Sequence, residues 1–164
     1  MVDMVAIAIT ILKHKNQYLF LKRRKAPYEN LWSLVGGKVD LGEHIMQASI
    51  REAMEETGTT QIIDYEYRGL VSERLVQSDG TLLAHFLIFV GFANIPDFQK
   101  SHREGELMLF TDPEIEARGN EFLPSDLHMF KTFKNPRPKT SLYEAELIFD
   151  GSKYTLEYYR KAEH

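Results

Sequence analysis

At 164 residues, 43% of them apolar and 27% charged, the chain is expected to form one domain, residues 1–164, burying about two-thirds of its unfolded surface. It has no cysteine, which excludes disulfides, thiolate catalysis and cysteine-based zinc sites. A net charge of −4 argues against a nucleic-acid polymer as partner; with no apolar run of membrane-spanning length and no secretory pattern at the N-terminus, a cytoplasmic protein is expected.

Residues 4–12, rich in Val and Ile, and residues 17–21 read as strands around a polar turn at 13–16. The basic run at 22–25 reads either as a lip that attracts phosphate, with Arg23 the participant, or as a solvated strand end. Residues 31–35 form a short apolar segment that delivers Gly36-Gly37, and Trp32 is expected as a packing anchor. The two glycines are expected to let the backbone turn and approach a site closely, and Lys38 to face a phosphate. Residues 44–57 fit one amphipathic helix. At 100° per residue, Met46, Ile50, Ala53, Met54 and Thr57 share an apolar side expected to face a core. Glu52, Glu55 and Glu56 share another face with Ala48, and Gly58 supplies a left-handed stop.

Residues 61–77 and 81–93 are expected to pair as a long hairpin about Ser78-Asp79-Gly80, with His85 a core histidine. A loop at 94–103 leads to a strand at 104–110. Thr111-Asp112-Pro113 opens a short helix to Ala117. Residues 124–133 form another helix, with Leu127, Phe130 and Phe133 inward, stopped by Pro136 and Pro138. The tail, 142–149 and 154–159, alternates around Asp150-Gly151 and reads as a further hairpin. Its tyrosines (Tyr143, Tyr154, Tyr158, Tyr159) are expected to pack it onto the domain; a nucleobase pocket or a homodimer interface are the other readings.

The chemistry is concentrated in the 44–57 helix. Like charges at spacings of three and four repel by about 0.2–0.5 kcal/mol per pair, and two of the glutamates occupy the last turn, where the helix dipole disfavours them. Taken alone, such a face is a solvated acidic surface. The glycine pair before it, Glu43 at the loop and the adjoining Arg51 favour a site for a hard cation, Mg²⁺ or Mn²⁺, whose shell a substrate phosphate completes.

These residues carry a resemblance. Gly37, Glu43, Arg51, Glu52, Glu55, Glu56 and Gly58 match, at every fixed spacing, the signature G-x5-E-x7-R-E-U-x-E-E-x-G-U of the Nudix hydrolase family. The aliphatic U positions carry Ala53 and Thr59 instead, and polar Thr59 is expected to loosen packing at the helix exit. The stretch before it also resembles the family's W-x-x-x-G-G approach, with Val35 where proline is common. The resemblance implies that Glu55 and Glu56 bind metal, with Glu52 either a further ligand or the base that activates water. It also implies a further acidic ligand or base near residue 104, with Glu104 the first candidate and Glu106 the second. Arg51 points away from the acidic face by its angle and is expected to tie Glu43 or Glu55 in place.

Strand-rich segments around one strong helix argue for an α+β fold. The resemblance implies an α/β/α sandwich around a mixed sheet, extended by the C-terminal hairpin at about residues 141–160. The activity it implies is Mg²⁺-dependent cleavage of a phosphoanhydride in a nucleoside diphosphate linked to another group. Within that class the favoured substrate is a nucleoside triphosphate, giving a monophosphate and pyrophosphate. ADP-ribose or a nucleotide sugar is the alternative substrate, and a non-catalytic nucleotide sensor on the same fold is the alternative class.

Overall fold

The structure, a computed structural model, describes residues 1–102, 105–137 and 142–162. The apolar runs become long strands: β1 (Met4–His14) and β2 (Gln17–Arg23), β5 (Ile63–Gln77) and β6 (Leu82–Asn94), β9 (Leu142–Phe149) and β10 (Tyr154–Lys161). Shorter ones are β3 (Trp32–Ser33), β4 (Val35–Lys38), β7 (Ser101–His102) and β8 (Gly105–Phe110). All join one ten-stranded sheet in the order β10-β9-β5-β6-β1-β2-β8-β7, with β3 on β2 and β4 on β1. β1 runs parallel to β6 and β5 parallel to β9, while the other pairs are antiparallel. The sheet is therefore mixed. The late hairpin widens it at β5 instead of lying across it; three of its tyrosines pack as expected, while the Tyr158 ring lies under Arg160 of its own strand. Tyr143 stacks on Tyr159 and meets Phe133, while Tyr154 stacks on Phe149 and touches Tyr28.

Side chains on a strand alternate between faces, and β1 shows how the layers form. Leu12 joins Leu19, Leu21 and Val35 under α1 (Ile45–Thr57). Ile9 and Ile11 join Phe20, Phe110 and Phe130 under α2 (Asp112–Ala117) and α3 (Pro124–Phe133). The result is the α+β sandwich, helices on both faces. Thr111 caps α2 as its sequence implies: its hydroxyl accepts from the Glu114 amide at 3.3 Å, and Glu114 accepts the Thr111 amide at 3.2 Å. Gly58 closes α1 at φ 67°, its amide bonded to the Met54 carbonyl at 2.9 Å. His85, expected in the core, is only half-buried, with its Nε2 3.2 Å from the Ser72 hydroxyl. Among the described residues no helix is long and apolar enough to cross a membrane.

Three expectations about the α1 region are corrected. Met46 and Met54 do not face the core; they are 56% and 39% exposed. The inward face is Ala48, Ser49, Ala53, Glu56 and Thr57. The reason lies in what faces α1. Gly36 and Gly37 are not a hinge but two residues of β4, paired with Ile9 and Ala8, and neither takes a positive φ. A helix over a strand without side chains comes too close for methionine, so small and hydrogen-bonding residues fill that face. Thr59 does not loosen the helix exit either. It is buried, and its hydroxyl donates to Asp97 Oδ1 at 3.0 Å.

On the opposite face, β5 turns Val71, Glu73 and Leu75 inward together. Glu73 is 2% exposed, and Asp126 in the first turn of α3 is also buried. Burial, with Asp126 nearby, pushes the Glu73 carboxyl up to about 8 from 4.5. Burial likewise pushes Asp126 up to about 7, although the Leu34 amide and Arg23 oppose the shift. Because both folded values are raised, the stability they contribute is present at low pH and lost as pH rises towards 8. Denaturant titrations of the wild type between pH 5 and 8 should show stability falling, by up to about 1.4 kcal/mol per pH unit for each group. Glu73→Gln should remove one group's share of that slope. A flat wild-type profile, or an unchanged slope in the variant, would contradict this account.

Candidate functional site

The site is built where α1 lies against β4. A Cβ added to Gly37 would stand 2.5 Å from the Glu52 carboxylate, so that carboxylate occupies the space a side chain would take. The Gly36 amide donates to Glu56 Oε2 at 3.2 Å, and Glu56 is only 4% exposed. Two glutamates of the acidic face are thereby laid against bare strand backbone. A buried carboxylate next to a peptide N–H is tolerable because the hydrogen bond offsets part of the lost hydration.

Arg51 organises the outer side. Its Nε and Nη2 donate to Glu43 Oε2 and Oε1 at 2.7 and 2.8 Å, a two-pronged contact. Its Nη1 donates to Glu52 Oε1 at 2.8 Å and Glu55 Oε2 at 3.3 Å, and Nη2 also reaches the Lys38 carbonyl at 3.1 Å. One guanidinium thus ties the 38–43 loop, Glu52 and Glu55 together. The sequence has Arg51 pointing away from the acidic face and tying Glu43 or Glu55; instead it ties both, and its long side chain reaches round to Glu52 of that face as well. The Arg51 hydrogen bonds, with the Asp40 amide, lower the Glu43 carboxyl to about 2, and Glu43 and Glu52 in turn raise Arg51. Repulsion among the glutamates is relieved from this side by Arg51.

Glu52, Glu56, Gly36, Gly37, Lys38 and Arg23 all line one cleft of about 440 Å³, a size suited to a small-molecule ligand. The apolar walls of this cleft include Ile7, Ile88 and Leu123. Arg23 is held at its rim by an Nε bond to the Pro27 carbonyl at 3.1 Å. Arg51 and Glu55 stand outside this lining, and the Glu55 side chain is 56% exposed. Glu104 lies outside the described residues. Glu106 is an exposed residue of β8 opposite Lys22, away from the cleft. Sequence reasoning missed Glu73, Asp126 and Tyr28, which form the cleft's other end. A signal did exist for Glu73, a charge at a position whose strand phase is otherwise apolar.

Among the described residues no three His, Asp or Glu side chains converge into a ready-made metal cage. What the cleft offers is carboxylate oxygen from Glu52 and Glu56, with Glu55 adjoining. That hard, anionic donor set fits Mg²⁺ or Mn²⁺, which take few protein ligands and leave room for water and substrate oxygens.

Comparison with known proteins places this geometry in a family. A putative 8-oxo-dGTP diphosphatase of Bacillus subtilis (strain 168) is 44% identical over 50 residues, 30% of this chain and 32% of the relative. An ADP-ribose pyrophosphatase of Methanocaldococcus jannaschii is 39% identical over 54 residues, 32% of each chain. These matches therefore span about a third of those relatives. Across the whole fold, the crystal structure of a MutT protein from Bacillus halodurans superposes with a TM-score of 0.75 at 23% identity, covering 96% of this chain and 97% of that one. The NUDIX domain of Shewanella oneidensis NrtR, solved with ADP ribose, superposes at 0.65 with 15% identity, covering 80% and 87%. The model of the NUDIX domain matches residues 2–141, and with 140 residues of the chain accounted for by it, this protein belongs to the NUDIX domain family.

Proposed function

We propose that the protein is a Mg²⁺-dependent pyrophosphohydrolase that cleaves a phosphoanhydride in a nucleoside diphosphate linked to another group. We take a nucleoside triphosphate, giving monophosphate and pyrophosphate, as the favoured substrate. The observation that carries this reading is the joint placement of Glu52 and Glu56 with Lys38 and the bare backbone of Gly36-Gly37 in one cleft. Hydrolysis of a diphosphate needs charge neutralised on the phosphoryl groups and a water activated near them. Glu56 and Glu52 would hold the metal with Glu55, and the bound ion would supply Lewis-acid stabilisation of phosphoryl charge. Lys38 and Arg23, on the cleft lining, add positive charge for the phosphate chain. Glu52 is the carboxylate through which a water would lose its proton if it is not a ligand, and the Arg51 bond at 2.8 Å keeps it oriented for either role. Apolar side chains of the cleft exclude bulk water from the rest of the substrate.

A small nucleotide rather than a polymer suits a cleft of about 440 Å³ and the net charge of −4, and we propose a single cytoplasmic domain with the β9–β10 hairpin as its extension. ADP-ribose is the second substrate reading, in line with the relative named an ADP-ribose pyrophosphatase. A panel of nucleotides incubated with Mg²⁺ in ¹⁸O-water, with products weighed by mass spectrometry, names both substrate and attacked phosphorus. Triphosphates should yield monophosphate and pyrophosphate, whereas AMP with ribose 5-phosphate from ADP-ribose would favour the second reading. No turnover of any phosphoanhydride would sink the enzyme.

Glu52→Gln and Glu56→Gln should each lower kcat by roughly 10²–10⁴-fold, about 3–5 kcal/mol, while the fold persists by circular dichroism. Full activity in both would remove the site from the chemistry. Gly37→Ala should displace Glu52, costing kcat roughly 10²-fold, because its new methyl falls 2.5 Å from that carboxylate. An unchanged kcat would show that the close approach does not matter.

A further inference from the structure

The C-terminal hairpin reaches the cleft through a pair of tyrosines. Tyr154, the first residue of β10, stacks on Phe149 across the turn, ring centroids 4.7 Å apart, and meets Tyr28 edge-on at 4.9 Å. Its hydroxyl oxygen also accepts the Tyr28 backbone amide at 3.2 Å. Tyr28 belongs to the loop 24–31 between β2 and β3, and it lines the cleft with Pro27 and Arg23.

That loop is closed at its base and braced within. The Arg23 amide donates to the Leu31 carbonyl at 3.2 Å, and the Asn30 amide to the Arg23 carbonyl at 2.8 Å. Arg23 Nε donates to the Pro27 carbonyl at 3.1 Å, so a displacement at Tyr28 carries Pro27 and the Arg23 guanidinium with it. Tyr28 itself has φ 71°, a left-handed conformation that a bulky aromatic residue keeps only where its surroundings impose it. Here they do. The side chain is buried among Leu75, Leu123 and Leu147 of β9, and its hydroxyl donates to Glu73 Oε2 at 3.4 Å. The bond to Tyr154 acts on the strained backbone directly.

We propose that Tyr154 is a positioning residue for substrate: by holding Tyr28 in its left-handed conformation, the hairpin keeps the loop against the cleft and Arg23 on the cleft lining. The inference rests on the nucleotide reading above and adds to it a task for the C-terminal extension. Glu52 and Glu56 belong to α1, a separate element of the cleft wall. Release of the loop therefore weakens the hold on the phosphate chain and leaves the carboxylates in place. Tyr158, on the same strand, provides a comparison within the hairpin, since its ring packs under Arg160 at 4.1 Å and not against the loop.

The test compares Tyr154→Phe, which keeps the ring and deletes the acceptor, with Tyr158→Phe, by two readouts that need no turnover. Trypsin can cut at the exposed Arg24 and Lys25 of the loop. Cleavage there, assigned by mass, should run at least about fivefold faster in Tyr154→Phe and at the wild-type rate in Tyr158→Phe. Calorimetry in Mg²⁺ with the α,β-methylene analogues of ATP and GTP should show the better-bound analogue weakened about tenfold by Tyr154→Phe. Tyr158→Phe should leave that affinity unchanged. In an Arg23→Ala background, Tyr154→Phe should cost less than about twofold more, because its effect passes through that guanidinium. Unchanged cleavage, unchanged affinity, no binding of either analogue, or a full loss on top of Arg23→Ala would overturn the inference. Hydrolysis of ATP and GTP is measured in parallel on the wild type. Binding that depends on Tyr154 without turnover would support the inference and count against the hydrolase, whereas turnover with binding indifferent to Tyr154 would do the reverse.

Discussion

The structure depends on how closely α1 approaches β4. Gly37 presents no side chain to the helix, so Glu52 can rest where a Cβ would otherwise be, while Gly36, whose own Cβ would strike Ala8 and Ile9 of β1, gives its amide to Glu56. Any other residue at 37 would push the helix outward or turn Glu52 away. The same approach sets which face of α1 points inward, and hence why its methionines are on the outside. Ala53 and Thr57 sit at the core because they are small enough, and the Thr57 hydroxyl closes on the Ala53 carbonyl at 2.6 Å.

Crowded carboxylates would push that arrangement apart without a counterweight, and Arg51 is the one on the outer side. It touches Glu43, Glu52, Glu55 and the Lys38 carbonyl, so a single guanidinium fixes the loop relative to the helix. The carboxylates divide accordingly. Glu55 stays with Arg51 at the surface, Glu56 goes to the backbone of β4, and Glu52 lies between them with contact to both Arg51 and the cleft. That division is why, among the described residues, α1 puts two of its carboxylates on the cleft wall and does not close a cage of three.

Much of this was legible in the sequence because seven residues at fixed spacing identify the loop and helix, and because the strand runs and turn residues are strong. What failed was a rule about apolar faces. Hydrophobic periodicity assigns methionines to the core, and it cannot anticipate a partner strand that lacks side chains. The pairing of β9 with β5 was also hidden, since parallel pairing leaves no local turn signal. Glu73 and Asp126 lie far apart in sequence and meet only through the packing of α3 over the sheet. One looked like an ordinary charge in a strand and the other like a helix-start acid. Thr59 illustrates the reverse case: a departure from the family pattern that the fold absorbs through Asp97.

The most direct measurement is a crystal structure of the protein with Mg²⁺ and a non-hydrolysable triphosphate analogue. The ion should lie about 2.0–2.1 Å from carboxylate oxygen of Glu52 or Glu56 and contact the phosphates of a nucleotide lying along the cleft. Phosphates bound away from Gly36-Gly37, or Mg²⁺ bound without either glutamate, would contradict the account.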